Sequence, residues 1–343
     1  MADRAPWAEL ADQVAEADTV VAVGAGTHAE LGGAVIGATT IRVPSGVVGF
    51  EPADMTVKVN AGTSFAELQA ALAEHGQECP LDPRDPVATL GGIVASGLSG
   101  PRRLGVGPLR DHLLETTMIL ADGRVVRGGG PTVKNVSGYD IPRLVVGSFG
   151  TLGVVVQLIL RTRPIAAARQ WFTTLQDPSE VAAALFRPSA LLWDGTNTTV
   201  LLEGHAPDLT EQARSAALTP LVESAIPGRP AGPHRGRIAI EPARIAAIAD
   251  GLTDLGARWT AELRVGTVHV ATDTEADLGR ARRLASAQGG WLLREAGAPT
   301  LDPFGMQPPA AAVQRRLRQL LDPTAKLSPG RVLATQPQAG VAA

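Results

Sequence analysis

Three glycine-rich stretches carry the residues whose spacing suits chemistry. Gly24-Ala25-Gly26-Thr27-His28 follows at once on a short apolar run, Val20 to Val23. Thr89-Leu90-Gly91-Gly92 leads into Ile93-Val94-Ala95-Ser96-Gly97, a glycine-opened helix start with no acid in its first turn. Gly147-Ser148-Phe149-Gly150-Thr151-Leu152-Gly153 precedes Val154 and a near-continuous apolar run to Leu160. Successive peptide N–H groups can converge on phosphate oxygens, and glycine lets backbone come close to a large or flat ligand. A helix start with no acid presents unpaired N–H groups and a partial positive charge, which suits a diphosphate. Arg102, Arg103 and Arg110 follow closely and add counter-charge. Cys79 is the sole cysteine, so neither an intrachain disulfide nor a cysteine metal cluster can form.

The first loop admits more than one reading. Gly24 to Ala29 fits G-x-G-x-x-A after a strand, the dinucleotide fingerprint of a Rossmann unit. That fingerprint needs a regular helix next and an acid at the end of a second strand. Here Leu31-Gly32-Gly33 breaks the helix early, and Thr40 to Val43 ends in Pro44-Ser45-Gly46 without an acid. A tight turn and another kind of anion-binding nest remain beside it. The order and spacing of all three loops together favour the nest.

The surrounding elements read as follows. Thr56 to Asn60 alternates as a strand does, and Ser64 with Glu67 spells a capping box for a helix with Phe65, Leu68 and Leu72 on one face. Thr116 to Leu120 and Arg124 to Arg127 form a hairpin around Asp122-Gly123, a favoured type I′ pair. Val154 to Leu160 has the length and composition of a strand buried on both faces. Past Arg163-Pro164 the units lengthen, with strands at Gln170 to Leu175, Thr199 to Leu202, Thr267 to Ala271 and Trp291 to Arg294. Helices are expected from Asp177, over Leu209 to Leu221 and over Glu275 to Gln288. This α+β alternation suits a cap built on a small antiparallel sheet.

Composition bounds the function. The chain has 343 residues, 45% hydrophobic, with a net charge of −3. That length is about two domains' worth, and that charge argues against a nucleic-acid surface. No signal-peptide core and no apolar run of about 20 residues is seen. The expectation is a cytoplasmic protein without a transmembrane segment, meeting a membrane only through a partner.

The order G-x-G-T, A-T-L-G-G-x-x-A-x-G and G-S-x-G-T-L-G resembles the FAD-binding domain of the vanillyl-alcohol-oxidase/p-cresol-methylhydroxylase superfamily. Ala95 to Arg103, Val133 to Asp140, and Leu321-Asp322-Pro323 with Leu327 to Arg331 resemble the small FAD-binding subunits of glycolate oxidases. The fold implied is α+β: a two-subdomain PCMH-type FAD-binding domain over 1–164, divided near residue 80, with an α+β cap over 165–294. A C-terminal segment, 295–335, would return to the FAD domain, leaving 336–343 as a tail. The resemblance places Gly24, Gly26, Thr27, Thr89, Gly91 and Gly92 at the pyrophosphate, with Ala25 and His28 counted in the cofactor-binding loop and His28 either a polar loop residue or a phosphate neighbour. Ser96, Gly97 and Arg102 would lie along the ribityl and diphosphate, and Gly147, Gly150, Gly153 and Val154 near the flavin. Some relatives tether flavin through a histidine; that position is Thr27 here, so non-covalent FAD is expected.

The function implied is oxidation of a small 2-hydroxy acid to a 2-oxo acid, beside a larger FAD-binding catalytic subunit and an iron–sulfur subunit. Two alternatives stand: a self-sufficient flavin dehydrogenase for another small substrate, or an electron-relay and assembly subunit. The H-x-G-D-G-N-x-H-like motif of the larger relatives has no counterpart between 165 and 295, where His205, His234 and His269 are isolated. No catalytic residue is therefore assigned. Substrate-side candidates are Lys134, Tyr139, Arg264 and His269, with the last two expected on one cap strand. Cys79 is read as a buried inert thiol, and Trp171, Trp193, Trp259 and Trp291 as cap core or subunit interface.

Overall fold

The long apolar run at Val154 organises the first half of the chain. In the computed structural model, which describes residues 4–131, 139–222, 227–305 and 311–331, the chain opens with α1 (Ala8–Glu16), β1 (Val20–Ala22), β2 (Thr39–Ile41), β3 (Val47–Glu51) and β4 (Thr56–Asn60). There follow α2 (Phe65–Ala73), β5 (Gln77–Glu78), α3 (Leu90–Ser96), α4 (Arg103–Val106), β6 (Leu113–Ile119), β7 (Val125–Gly129), α5 (Ile141–Val145), β8 (Val154–Arg161) and β9 (Arg163–Pro164). Five strands form one antiparallel sheet in the order β3-β4-β8-β6-β7. β8 is its centre. Val155, Leu158 and Leu160 enter the core under α2 and α3, while Val154 and Val156 pack with α1 and β1. β8 is thus covered on both sides, as an unbroken apolar strand must be.

β1 and β2 form a separate parallel pair. The chain's C-terminal part runs back to it: Val20 N–H donates to Lys326 O, and Ser328 N–H donates to Val20 O at 2.7 Å.

The second half comprises β10 (Ala168–Thr174), α6 (Pro178–Ala184), β11 (Ala190–Trp193), β12 (Thr198–Gly204), α7 (Ala206–Ser215), β13 (Thr219–Pro220) and β14 (His234–Ala239). It continues with α8 (Ala246–Asp254), β15 (Arg258–Glu262), β16 (Thr267–Thr272), α9 (Glu275–Ala287), β17 (Trp291–Ala296) and α10 (Ala311–Leu321). Eight strands pair antiparallel in the order β13-β10-β12-β11-β15-β16-β14-β17, a larger sheet than the small one the sequence suggested. Its two faces differ. Trp259, Ala261, Ile238, Val268, Val270 and Leu292 form one core with α8 and α9. On the other face the register sets Thr260, His269, Arg237 and Leu293 side by side, with Glu262 and Glu295 two residues along their strands. This second face is polar and turns toward the first half of the chain.

Three local expectations need correction. The Asp122-Gly123 hairpin exists, but it is not type I′, because Asp122 keeps a negative φ and only Gly123 is left-handed, at φ 79°. Leu120 N–H donates to Arg124 O and Gly123 N–H to Leu120 O, which describes a three-residue loop closing on a left-handed glycine. The helix expected over Leu209 to Leu221 stops at Ser215. Pro220 cannot extend it, Ala217 turns left-handed, and Thr219–Pro220 becomes an edge strand beside Phe172 and Thr173. Arg264 is not on a strand; it sits at φ 62° in the turn joining β15 and β16.

Candidate functional site

A cavity of about 460 Å³ opens where the loop after β1, the start of α3 and the loop before β8 converge. Of the residues singled out in sequence, Gly24, Ala25, Gly26, Thr27, His28, Thr89, Gly91, Gly92, Ser96, Gly150 and Gly153 line it. Segments about 125 residues apart in sequence thus meet at one space. Side-chain-poor backbone makes this possible: a Cβ on Gly24 would lie 2.1 Å from Oγ1 of Thr89, so the first two loops touch only because that position has no side chain.

The loop from Gly24 to His28 offers unpaired backbone donors to the cavity. None of its five successive N–H groups has a protein acceptor among the described residues, and Gly24, Ala25 and Gly26 are exposed toward the cavity. Unpaired donors grouped in this way form a nest for phosphate oxygens. The start of α3 is different from its sequence reading. It is not bare: Leu90 N–H donates to Thr63 O, Gly91 N–H to Ala61 O, and Gly92 N–H to Thr89 Oγ1 at 3.4 Å. The Ala61–Thr63 turn runs against this helix start and satisfies its donors. α3 therefore lines the cavity without offering it a free helix terminus.

Four of the expected cofactor positions do not line the cavity. Gly97 caps α3, and Gly147 packs against it, where a Cβ on Gly97 would approach Gly147 N at 3.1 Å. Val154 points into the core beside α1. Arg102 is buried and committed elsewhere, bonded to Glu78 and 3.0 Å from Glu203, with Arg163 and Arg169 bonded to the same two carboxylates. Burial alone would raise the Glu78 pKa, but the hydrogen bond and charge of Arg102, then Arg169 and Arg163, hold it at about 2.

The substrate-side candidates are scattered. Lys134 lies outside the described residues. Tyr139 is 90% exposed, away from the cavity. Arg264 donates to Ala182 O and so fastens α6 to the turn after β15. His269 alone sits on the polar sheet face, 2% exposed, with Nε2 3.1 Å from Glu262. Glu262 in turn accepts from Arg84 at 2.8 Å. Burial, then the Arg84 charge, lower the His269 pKa although Glu262 opposes them, so the ring is neutral near pH 7.

Sequence reading missed two arginines of the cavity wall. Arg42 lines the cavity, its one described bond running to Gly24 O at 3.3 Å. Arg331 donates to Ala29 O at 2.8 Å, Gly33 O at 3.2 Å and Phe149 O at 3.3 Å. It thereby ties the phosphate nest to the loop before β8. Its place in the G-R ending was visible; its target, some 180 to 300 residues away in sequence, was not. The apolar wall from Leu31, Val35, Ile41, Val43 and Val155 followed from no single motif.

A dinucleotide fits this donor set. The Gly24–His28 nest and Arg42 suit a diphosphate, and the apolar wall with Phe149 and Gly150 suits an aromatic ring system. His28 lies between this cavity and the polar sheet face. Its Nδ1 is 2.8 Å from Thr27 Oγ1, and burial followed by the charge of Arg229 lowers its pKa.

Comparison with known proteins agrees with this geometry. Residues 7–129 match the family model described as FAD binding domain. The chain is 35% identical over 201 residues to glycolate oxidase subunit GlcE of Escherichia coli (strain K12), covering 56% of this chain and 57% of that protein. It is 40% identical over 104 residues to D-lactate dehydrogenase of Archaeoglobus fulgidus, covering 30% of this chain and 24% of that protein. The matched part is thus under two thirds of either relative's length. Among solved structures, alkyldihydroxyacetonephosphate synthase superposes with a TM-score of 0.67 at 14% identity, covering 94% of this chain and 75% of that one. The α+β, PCMH-type fold expected from the sequence is the fold observed. Residues 7–129 thus match an FAD binding domain, and the chain is similar to glycolate oxidase subunits and D-lactate dehydrogenases.

Proposed function

We propose that the chain is the FAD-binding subunit of a glycolate oxidase-like complex, in which a 2-hydroxy acid is oxidised to a 2-oxo acid. The observation that carries this reading is the convergence of three glycine loops on one cavity, in a chain similar to a glycolate oxidase subunit and D-lactate dehydrogenases. Bound FAD supplies the electron acceptor for such an oxidation. The protein's part is to hold and orient it: the Gly24–His28 nest and Arg42 at the diphosphate, the Leu31, Ile41 and Val155 wall around the ring. Thr27 stands where a tethering histidine would be, and its hydroxyl is engaged by His28, so the FAD is held non-covalently.

In this reading residues 1–164 form the FAD-binding part and the cap runs from 165 through the end of β17 at Ala296, two residues past the 294 expected. The segment after it, to 335, returns to the FAD-binding part, and the polar face of the cap covers the flavin end of the cavity. A larger FAD-binding catalytic subunit and an iron–sulfur subunit complete the complex. No described helix is long and apolar enough to cross a membrane.

The test is twofold. Purified chain is expected to carry FAD, and its melting temperature to rise with added FAD, because a ligand that binds only the native state stabilises it. Co-expression with its neighbouring genes is expected to give a larger assembly that bleaches its flavin with glycolate or D-lactate. A chain with no flavin and no thermal response to FAD would sink the reading. Flavin bleaching by the isolated chain would replace it with a self-sufficient dehydrogenase.

A further inference from the structure

We propose that Ser328 is a further cofactor-binding residue: its hydroxyl and the peptide N–H of Gly150 form a donor pair for one acceptor atom of bound FAD. This rests on the flavin reading above and adds a residue from the C-terminal segment to the site.

Ser328 combines two unfavourable features. Its backbone is left-handed, at φ 45°, a region that a residue with a side chain adopts only when its surroundings force it. Its side chain is closed off, the residue being 1% exposed, yet Oγ has no hydrogen-bond partner among the described residues. A buried hydroxyl without a partner destabilises the fold. Alanine would remove that cost, and glycine would remove both. A serine here therefore calls for a specific explanation.

Main-chain bonds hold the residue from both sides. Leu327 N–H and Lys326 N–H donate to the Asp322 carboxylate at 2.9 and 3.0 Å, and Leu327 bridges to Val20 on β1. Ser328 N–H donates to Val20 O at 2.7 Å, and Ser328 O accepts from Arg331 N–H at 3.2 Å. The left-handed turn is thus fixed without the hydroxyl.

That hydroxyl lies directly behind the cavity wall. Gly150 lines the cavity, and a Cβ on it would meet Ser328 Oγ at 3.0 Å and no other atom within 4 Å beyond its chain neighbours. The wall is thin at this point because residue 150 has no side chain, and the orphaned hydroxyl is the first atom behind it. Gly150 N–H also has no acceptor among the described residues, although the N–H groups on either side, of Phe149 and Thr151, donate to Ala95 O and Ser148 O. Two donors without a described partner thus meet at one glycine of the wall. FAD offers carbonyl oxygens, ring nitrogens, ribityl hydroxyls and phosphate oxygens as acceptors, and a serine hydroxyl can donate to any of them. Oγ is closed to water, so the group it serves must pack against Gly150.

Calorimetric FAD titrations and melting curves of wild type, Ser328→Ala and Ser328→Gly test this. Ser328→Ala is expected to leave the cofactor-free protein as stable as wild type or more so, because it deletes an unsatisfied group. Its FAD affinity is expected to fall about three- to tenfold, the equivalent of one hydrogen bond, and the FAD-induced rise in melting temperature to shrink. A lower melting temperature without cofactor, together with an unaltered FAD-induced rise, would mark a merely structural serine and overturn the proposal. Ser328→Gly, which also relieves the backbone, is expected to lose the same affinity and decides the matter if Ser328→Ala does not fold. A shifted absorption band of the bound flavin in Ser328→Ala assigns the bond to the ring; weaker binding with an unshifted band assigns it to the ribityl chain or the diphosphate. Wild-type affinity for FAD in either folded variant overturns the proposal alone. A wild-type chain that takes up no FAD sinks the flavin reading and this proposal with it.

Discussion

Glu78 on β5 and Glu203 on β12 share the same three guanidiniums, although their strands belong to different sheets. Arg102 reaches both from the loop before α4, while Arg163 and Arg169 flank it from either side of the connection between the two halves. The carboxylates are buried, and the Glu78 pKa falls from its ordinary 4.5 to about 2; that of Glu203 is also lowered, where the arginine charges outweigh burial. A carboxylate with a depressed folded-state pKa stabilises the fold above its unfolded pKa and loses that contribution as pH falls through the folded one. Thermal stability is therefore expected to drop as pH goes from about 4.5 toward about 2. Glu203→Gln is expected to cost about 1–2 kcal/mol at pH 7, because it takes one of its two carboxylates from buried Arg102, while Arg163 and Arg169 keep access to water. It should also flatten the acid limb of a melting-temperature profile. An unchanged profile would mean that the network adds nothing to stability.

Gly92→Asp tests the cavity assignment more cleanly than Gly91→Asp. A Cβ on Gly92 meets only Thr89 Oγ1, at 3.2 Å, whereas one on Gly91 meets the Ala61 Cβ and carbonyl oxygen, both at 3.1 Å. The first substitution brings a negative charge beside the phosphate nest with little distortion; the second strains the turn that satisfies the α3 donors. Gly92→Asp is expected to fold and to lose FAD, and Gly91→Asp to lose stability as well. The readouts are the flavin-to-protein absorbance ratio and a melting curve for each. Full FAD occupancy in folded Gly92→Asp would show that the α3 start is only structural.

What could be read from the sequence was what neighbours in sequence decide. The Ser64–Glu67 capping box is present with both of its hydrogen bonds, and β8 is doubly buried as its composition required. The glycine loops were recognisable by type and order. What escaped depended on partners far along the chain. Arg102 looked like counter-charge for phosphate until Glu203, about 100 residues later, was seen to claim it. The α3 start looked bare because the carbonyls of Ala61 and Thr63 that fill it belong to another turn. The polar sheet face was written as alternation in Thr260-x-Glu262, Thr267-x-His269 and Leu293-x-Glu295, yet only the strand pairing shows that these face one way.

Cys79 provides a control on the core. It is fully buried, and burial, the leading cause, pushes its thiol up to about 12. Since the thiolate is the reactive form, a colorimetric thiol reagent is expected to find no reactive thiol in the native protein and one after denaturation. Rapid native reaction would mean that the core beneath α2 opens readily.

Arg331 is expected to matter more for FAD than for folding. Its guanidinium bonds Ala29 O, Gly33 O and Phe149 O, so it holds the far end of the phosphate-nest loop against the loop before β8. Both loops wall the cavity, and without this clamp each must be ordered by the ligand itself, at the expense of affinity. Arg331→Met keeps the apolar stem and removes the fork; about a tenfold weaker FAD affinity is expected, from the loss of charged hydrogen bonds. Arg331→Lys should recover only part of it, since a single ammonium cannot span three carbonyls on two loops. Melting curves with and without FAD separate the two roles. A merely structural arginine would lower the melting temperature of the cofactor-free protein and leave the FAD-induced rise intact. A clamp on the site would instead shrink that rise, and an unaltered rise in Arg331→Met would refute it.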